Sequence, residues 1–141
     1  MSTSPSALDA LLSTLRTDEG VAKAHIDEGW MQGRTAYGGI SSAVALAGAM
    51  ALHPTEVPLR YAQISFVGPV GGDCTVETRV LRQSKSSLFV DAGVSSDMGF
   101  GTAATFAFSG FNNTSTSTVA KDHAITIIVV YHTTECFRSN N

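Results

Sequence analysis

Charge is scarce in this chain: nine Lys and Arg and twelve Asp and Glu are spread over 141 residues, for a net charge of −3. No basic run stands out, so the electrostatic footprint of a nucleic-acid or anionic-membrane partner is missing. Cysteine is scarcer still. Cys74 and Cys136 lie far apart and match no metal-ligand spacing, and His25, His53, His123 and His132 add none. No metal site is expected, and free thiols in a cytoplasmic setting are. A Gly-x-Ser-x-Gly elbow and a phosphate-binding glycine loop are both lacking, which removes the commonest serine-hydrolase and nucleotide readings, and no cofactor is implied. The longest apolar stretch, residues 37–52, is 16 residues with Gly and Ser inside it, too short to span a bilayer. The first 20 residues lack the basic start and apolar core of a secretory signal.

That apolar stretch is also the most informative feature present. YGGISSAVALAGAMAL, followed by His53-Pro54, reads as a helix with almost no polar side, whereas a surface helix keeps one. Something must wrap it. Residues 6–16 read as a short amphipathic helix, with Leu8, Leu11, Leu12 and Leu15 at helical spacing and Ser4-Pro5 as cap and first-turn proline. Residues 21–26 have strand composition, and the polar loop 27–36, which carries Trp30, delivers the chain to the buried helix.

After Pro54 the period changes to two. Residues 59–67 form a strand closed by Gly68-Pro69, and Gly71-Gly72-Asp73 makes a turn. Residues 74–82 then put Cys74, Val76, Thr78 and Val80 on one face. Beyond a link at 83–86, Leu88, Val90, Ala92 and Val94 point inward while Phe89 and Asp91 point to solvent or a partner surface. A turn at 96–99 leads to a strand with Phe100, Thr102, Ala104, Phe106 and Phe108 on one side. Three hairpin-linked strands make a meander, and Ala92 and Ala104 leave room for a helix close to it. An antiparallel β-sheet wrapped around a buried central α-helix is the physical description of the hot-dog fold, an α+β architecture. One such domain fills residues 1–111. Residues 112–141 fall outside it, as a polar linker and then the β-prone run AITIIVVY. That run must join a sheet, pack on a partner, or reflect a truncation or frame change; its composition leaves all three open.

Two segments, GWMQGRTAYGGISSAVALAGAM and RYAQISFVGPVGGDCTVETRVLRQSKSSLFVDAGV, occur in this order. They resemble the N-terminal half of type II acyl-CoA thioesterases. The likeness rests on Tyr37-Gly38-Gly39 at the helix start, Phe66-Val67-Gly68-Pro69, Gly72-Asp73, and the hairpin from Thr78 to Phe89. It implies hydrolysis of short- to medium-chain acyl thioesters, with general esterase activity as an extension. Because that family usually carries two hot-dog domains per chain, it also implies a homodimer or higher homo-oligomer, with the acyl-CoA site at the seam near the helix N-terminus. In the catalytic halves of type II enzymes an Asp, a Thr and a Gln carry the chemistry; by rough alignment Tyr61, Leu81 and Ala107 stand there. None of the three can replace what is lost. The departure implies an alternative: a non-catalytic hot-dog module, either an acyl-CoA binder or the structural half of a split thioesterase.

Thioester hydrolysis needs a polarised carbonyl, an activated water and an acyl slot. The helix N-terminus offers free N–H groups and a positive dipole end, so Gly38 and Gly39 can form an oxyanion hole, with Gly39 central. The same glycines would equally allow tight packing. Candidates for orienting the water are Asp27, Tyr37 and, from across the seam, Gln63. Gln32, Arg34 (toward a coenzyme A phosphate) and Trp30 (lining an acyl slot) are the candidate substrate contacts. Each has an ordinary role as well: a solvated loop carboxylate, a surface ion pair, a loop aromatic packed on the core. A hydratase-type Asp–His pair would need His25 and Asp27, which sit on alternate sides of a strand end.

Overall fold

In the computed structural model, residues 6–110 and 126–131 are described. Cys136, His123, His132 and most of the expected linker lie outside them. The first helix, α1, spans Ala7–Leu12, shorter than the leucine spacing predicts. Its cap is Ser6, whose hydroxyl accepts from the Asp9 N–H while Asp9 reaches back to Ser6; the expected Ser4-Pro5 lie outside the described residues. The helix stops because the hydroxyls of Ser13 and Thr14 bond back to the carbonyls of Ala10 and Leu11. The chain then enters a hairpin, β1 (Arg16–Asp18) and β2 (Val21–Ile26).

The expected loop after β2 is more ordered than its composition suggests. It holds a 3₁₀ turn at Glu28–Trp30 and a miniature hairpin, β3 (Met31–Gln32) with β4 (Thr35–Ala36). Helix α2, Gly38–Leu52, follows as predicted. Strand β5 (Leu59–Phe66) comes next, then β6 (Gly72–Gln83), β7 (Ser87–Ser96) and β8 (Gly99–Ser109) form the expected three-strand meander, and the expected Gly71-Gly72-Asp73 turn is partly strand because Gly72 opens β6. The sheet order is β1-β2-β6-β7-β8-β5-β9, all antiparallel except the last pair. There β9 (Thr126–Tyr131), from the β-prone run, pairs in parallel with Tyr61–Phe66.

Leu88, Val90, Ala92 and Val94 are buried, as their alternation requires, together with Val76, Ala104, Phe106 and Phe108. Phe100 breaks the pattern. Val94 pairs with Thr102 but Ser95 with Phe100, so Gly101 is an extra residue that turns Phe100 to the outer face, half exposed. Its ring lies where a Cβ on Gly93 would be. Gly101 has no room for a side chain against Val70 and the Pro69 carbonyl, and its own carbonyl accepts from Val67 (2.8 Å) and Gly68 (3.0 Å).

Two contacts fix how α2 lies on the sheet. A Cβ on Gly38 would fall 2.8 Å from Cζ of Phe66 on β5, and one on Gly48 2.8 Å from Cγ1 of Val76 on β6. With β8 and β7 between β5 and β6, that is three strand spacings, roughly 14 Å. The helix rises roughly 15 Å between those glycines. Helix α2 therefore crosses the strands, and Phe66, Thr102, Val94 and Val76 form the row beneath it.

Candidate active site

Main-chain bonds bring most of the predicted site residues to the start of α2. Asp27 caps the 3₁₀ turn, its Oδ1 accepting from Gly29 N–H at 2.9 Å. Its carbonyl accepts from Trp30 N–H (3.2 Å), and the Trp30 carbonyl accepts from Tyr37 N–H (3.1 Å). Asp27, Trp30 and the helix start are thus tied in sequence. Thr35 and Ala36 clasp Val70: Ala36 N–H donates to its carbonyl at 2.7 Å, and Val70 N–H donates to Thr35 Oγ1 at 3.0 Å. Gln32 and Arg34 sit on the β3–β4 hairpin, both exposed, and Trp30 is half-buried against the core.

The helix start itself is open. Tyr37, half exposed, makes no side-chain cap bond, and its carbonyl accepts from Ile40 and Ser41. As first-turn residues, Gly38 and Gly39 have amides with no acceptor inside the helix. The two glycines differ in what they need. Gly38 is held by the Phe66 ring, whereas a Cβ on Gly39 would meet nothing within 4 Å. No interior contact requires a glycine at Gly39.

Gln63 is not brought there. It lies exposed on the outer face of β5, between the buried Ala62 and Ile64, and its Oε1 accepts from the Tyr61 hydroxyl at 2.8 Å. In a strand row with Thr105, Asp91 and Arg79 it lines an open cleft on the face away from α2. Asp91 accepts from Thr105 Oγ1 at 2.6 Å and from Arg79 Nη2 at 3.1 Å. Tyr61 pairs with Ala107, and Leu81 lies exposed in the irregular stretch of β6.

Three features escaped the sequence reading. His25 Nδ1 lies 2.8 Å from Asp73 Oδ1, an exposed pair set by the β2–β6 register, which no sequence pattern reveals. Thr102, 1% exposed on the inner face, has a hydroxyl with no hydrogen-bond partner among the described residues; its inward position was legible from alternation. Cys74 is buried, its thiol donating to the Gly72 carbonyl and pushed up to about 11 by burial and, beyond that, by Asp73 and Asp97. Such a thiol is no nucleophile at neutral pH.

A profile of the acyl-CoA thioesterase N-terminal domain matches residues 26–109. The chain belongs to that family. Solved structures similar to this thioesterase-family domain include a putative thioesterase II from Thermobifida fusca, with 20% identity over 80% of this chain and 42% of that one, at a TM-score of 0.67. A hot-dog protein of unknown function from Alicyclobacillus acidocaldarius shares 20% identity over 84% of this chain and 46% of its own, at 0.68. A Bacillus halodurans protein solved with CoA shares 17% over 67% and 70%, at 0.57. The architecture is therefore the hot-dog fold. The domain spans less than half the length of the first two relatives. No curated protein matches it. Among the described residues no helix is long and apolar enough to cross a membrane.

Proposed function

We propose that this domain hydrolyses acyl-CoA thioesters of short to medium chain length at the N-terminus of α2, in the cytoplasm, as a homodimer. The observation that carries the reading is Gly39: even in the first turn a glycine costs about 0.5 kcal/mol relative to alanine, and no packing contact offsets that cost here. A substrate oxygen approaching the bare amides does. The Gly39 and Gly38 N–H groups then hold the oxyanion as water adds to the thioester carbonyl, and the thiolate of coenzyme A leaves. Asp27 is the carboxylate tied closest to this end. One of its oxygens serves Gly29, and in this reading the other orients the water together with the Tyr37 hydroxyl. Arg34 and Gln32 on the neighbouring hairpin contact the coenzyme A portion, and Trp30 the acyl chain. A second copy completes the site at the seam.

One finding favours a binding module instead. Asp27 is engaged as a cap, and Tyr61, Leu81 and Ala107 supply no acid. Free-thiol release from acetyl- to palmitoyl-CoA by the purified chain separates the two. Turnover that falls at least tenfold in Gly39→Val establishes the hydrolase; binding of acyl-CoA without turnover at any length makes the domain a binder.

A further inference from the structure

Thr102 carries an oxygen where an apolar side chain would be more stable. It is 1% exposed, on the inner face of β8, paired with Phe66 on one side and Val94 on the other, and its hydroxyl is unpartnered among the described residues. A buried polar group in that state destabilises the fold. Its neighbours show where it lies. The Phe66 ring packs on Gly38 at the start of α2, so Thr102, one strand spacing (about 4.8 Å) further in, lies beneath the first helical turn. Ser41, the other buried hydroxyl of that turn, is already spent on the Gly38 carbonyl at 3.1 Å. Thr102 Oγ1 is the polar group left over below the helix N-terminus, and half-buried Phe66 stands between it and the sheet edge.

We propose that Thr102 is a specificity residue for acyl thioesters that carry a hydroxyl or oxo oxygen on the third acyl carbon. This rests on the acyl-thioester reading above. With the thioester carbonyl at the first-turn amides, the acyl chain runs inward past the Phe66 ring, beneath the first turn of α2. An oxygen two carbons along reaches the depth of Thr102 and exchanges a hydrogen bond with its hydroxyl. An unsubstituted chain leaves that hydroxyl unpaired, and a site built around a buried polar partner rejects analogues that lack it.

The test compares full-length wild type and Thr102→Val with butanoyl-CoA and 3-hydroxybutanoyl-CoA, by kcat/KM and by Kd, with thermal melts of both proteins. Wild type is expected to prefer the hydroxylated ester at least tenfold. Thr102→Val brings that ratio to about one while raising Tm by about 3 °C, because a methyl removes the unpaired hydroxyl. Equal handling of the two esters by wild type overturns the proposal, as does a preference that survives in Thr102→Val. A lowered Tm in the variant overturns it too, by showing that the hydroxyl has a structural partner. The preference seen in Kd without turnover keeps this inference and removes the hydrolase. Turnover without preference does the reverse, and binding of neither ester overturns both.

Discussion

Gly39 and Gly48 sit on one helix with opposite surroundings, so the same change at each should have opposite effects. In a helix interior, Gly→Ala gains about 1 kcal/mol from backbone entropy, and about half of that in the first turn. At Gly39 a Cβ meets nothing within 4 Å, so Gly39→Ala should stabilise by about 0.5 kcal/mol. At Gly48 the new methyl falls 2.8, 2.9 and 3.0 Å from Cγ1, Cβ and Cγ2 of Val76, which is fully buried. Because Val76 Cβ is among those atoms, a rotamer change cannot clear the clash; the helix itself must lift. Overpacking costs about 1–3 kcal/mol, and with Cβ itself in the clash the upper part of that range, about 2–3 kcal/mol, applies, which leaves Gly48→Ala about 1–2 kcal/mol less stable than wild type after the helix-propensity gain. Urea denaturation of the full chain should place the two variants about 2 kcal/mol apart, on either side of wild type. A Gly48→Ala protein as stable as wild type would mean that α2 is not seated on Val76. Gly39→Ala losing more than about 1 kcal/mol would mean that Gly39 is packed, removing the observation on which the proposed function rests. Activity should split the other way: Gly39→Val loses hydrolysis, and Gly48→Ala keeps kcat/KM within about twofold once folded.

Cys74 makes stability fall at high pH. Its thiol is raised from an ordinary 9.0 to about 11, first by burial, so between those values the folded chain keeps a proton that the unfolded chain has released. Denaturation midpoints measured from pH 8 to 11 should decline more steeply in wild type than in Cys74→Ala, and parallel curves would contradict the burial. Asp91→Asn should cost about 1 kcal/mol or less, because its Arg79 partner is 76% exposed, and should leave hydrolysis intact because Asp91 faces away from α2. A tenfold loss of turnover would move the site to the outer face. Ile128→Pro with Val129→Pro removes β9 ladder donors and should lower the concentration at which the chain dimerises in sedimentation runs, since two copies can pair along β5 only when β9 leaves it. An unchanged midpoint would put the dimer seam elsewhere.

The parts of this fold that were legible were those encoded by period. Nothing polar interrupts residues 38–52 beyond Ser41 and Ser42, so the core helix could be read directly, although only its Ile40, Ser41, Val44, Ala45, Gly48 and Ala49 face is buried and Met50 is 46% exposed; the inward set from Leu88 to Val94 follows from strict alternation. Phe100 was misplaced because one extra residue, Gly101, reverses the face on which alternation depends, and its cause lies in Val70 and Pro69, about thirty residues away. The clasp on Val70 and the tie from Asp27 through Trp30 to Tyr37 are main-chain bonds, which side-chain identity does not announce. For the same reason composition could place Asp27, Trp30 and Tyr37 on one loop but could not separate Gly38 from Gly39. That distinction depends on where the Phe66 ring falls.

Phe66 is also where the features without an interior explanation meet. Its ring packs on Gly38, next to a glycine that nothing inside the chain requires. Across the sheet it pairs with Thr102, whose hydroxyl has no partner among the described residues. Along the edge it pairs with β9, whose Ile127, Ile128 and Val129 are 61%, 44% and 42% exposed, so main-chain bonds hold that strand with little burial. The opposite edge shows no such loose ends. There β1 is three residues long and fully exposed, with Arg16 and Asp18 on it and Asp18 paired to Lys23, the usual protection of an edge against further strands. Among the described residues, one edge is closed with charge, while the other carries a strand with exposed side chains, a helix N-terminus without a side-chain cap and a buried hydroxyl without a partner. Under the proposed function, substrate and a second copy would complete these interactions at this end of β5.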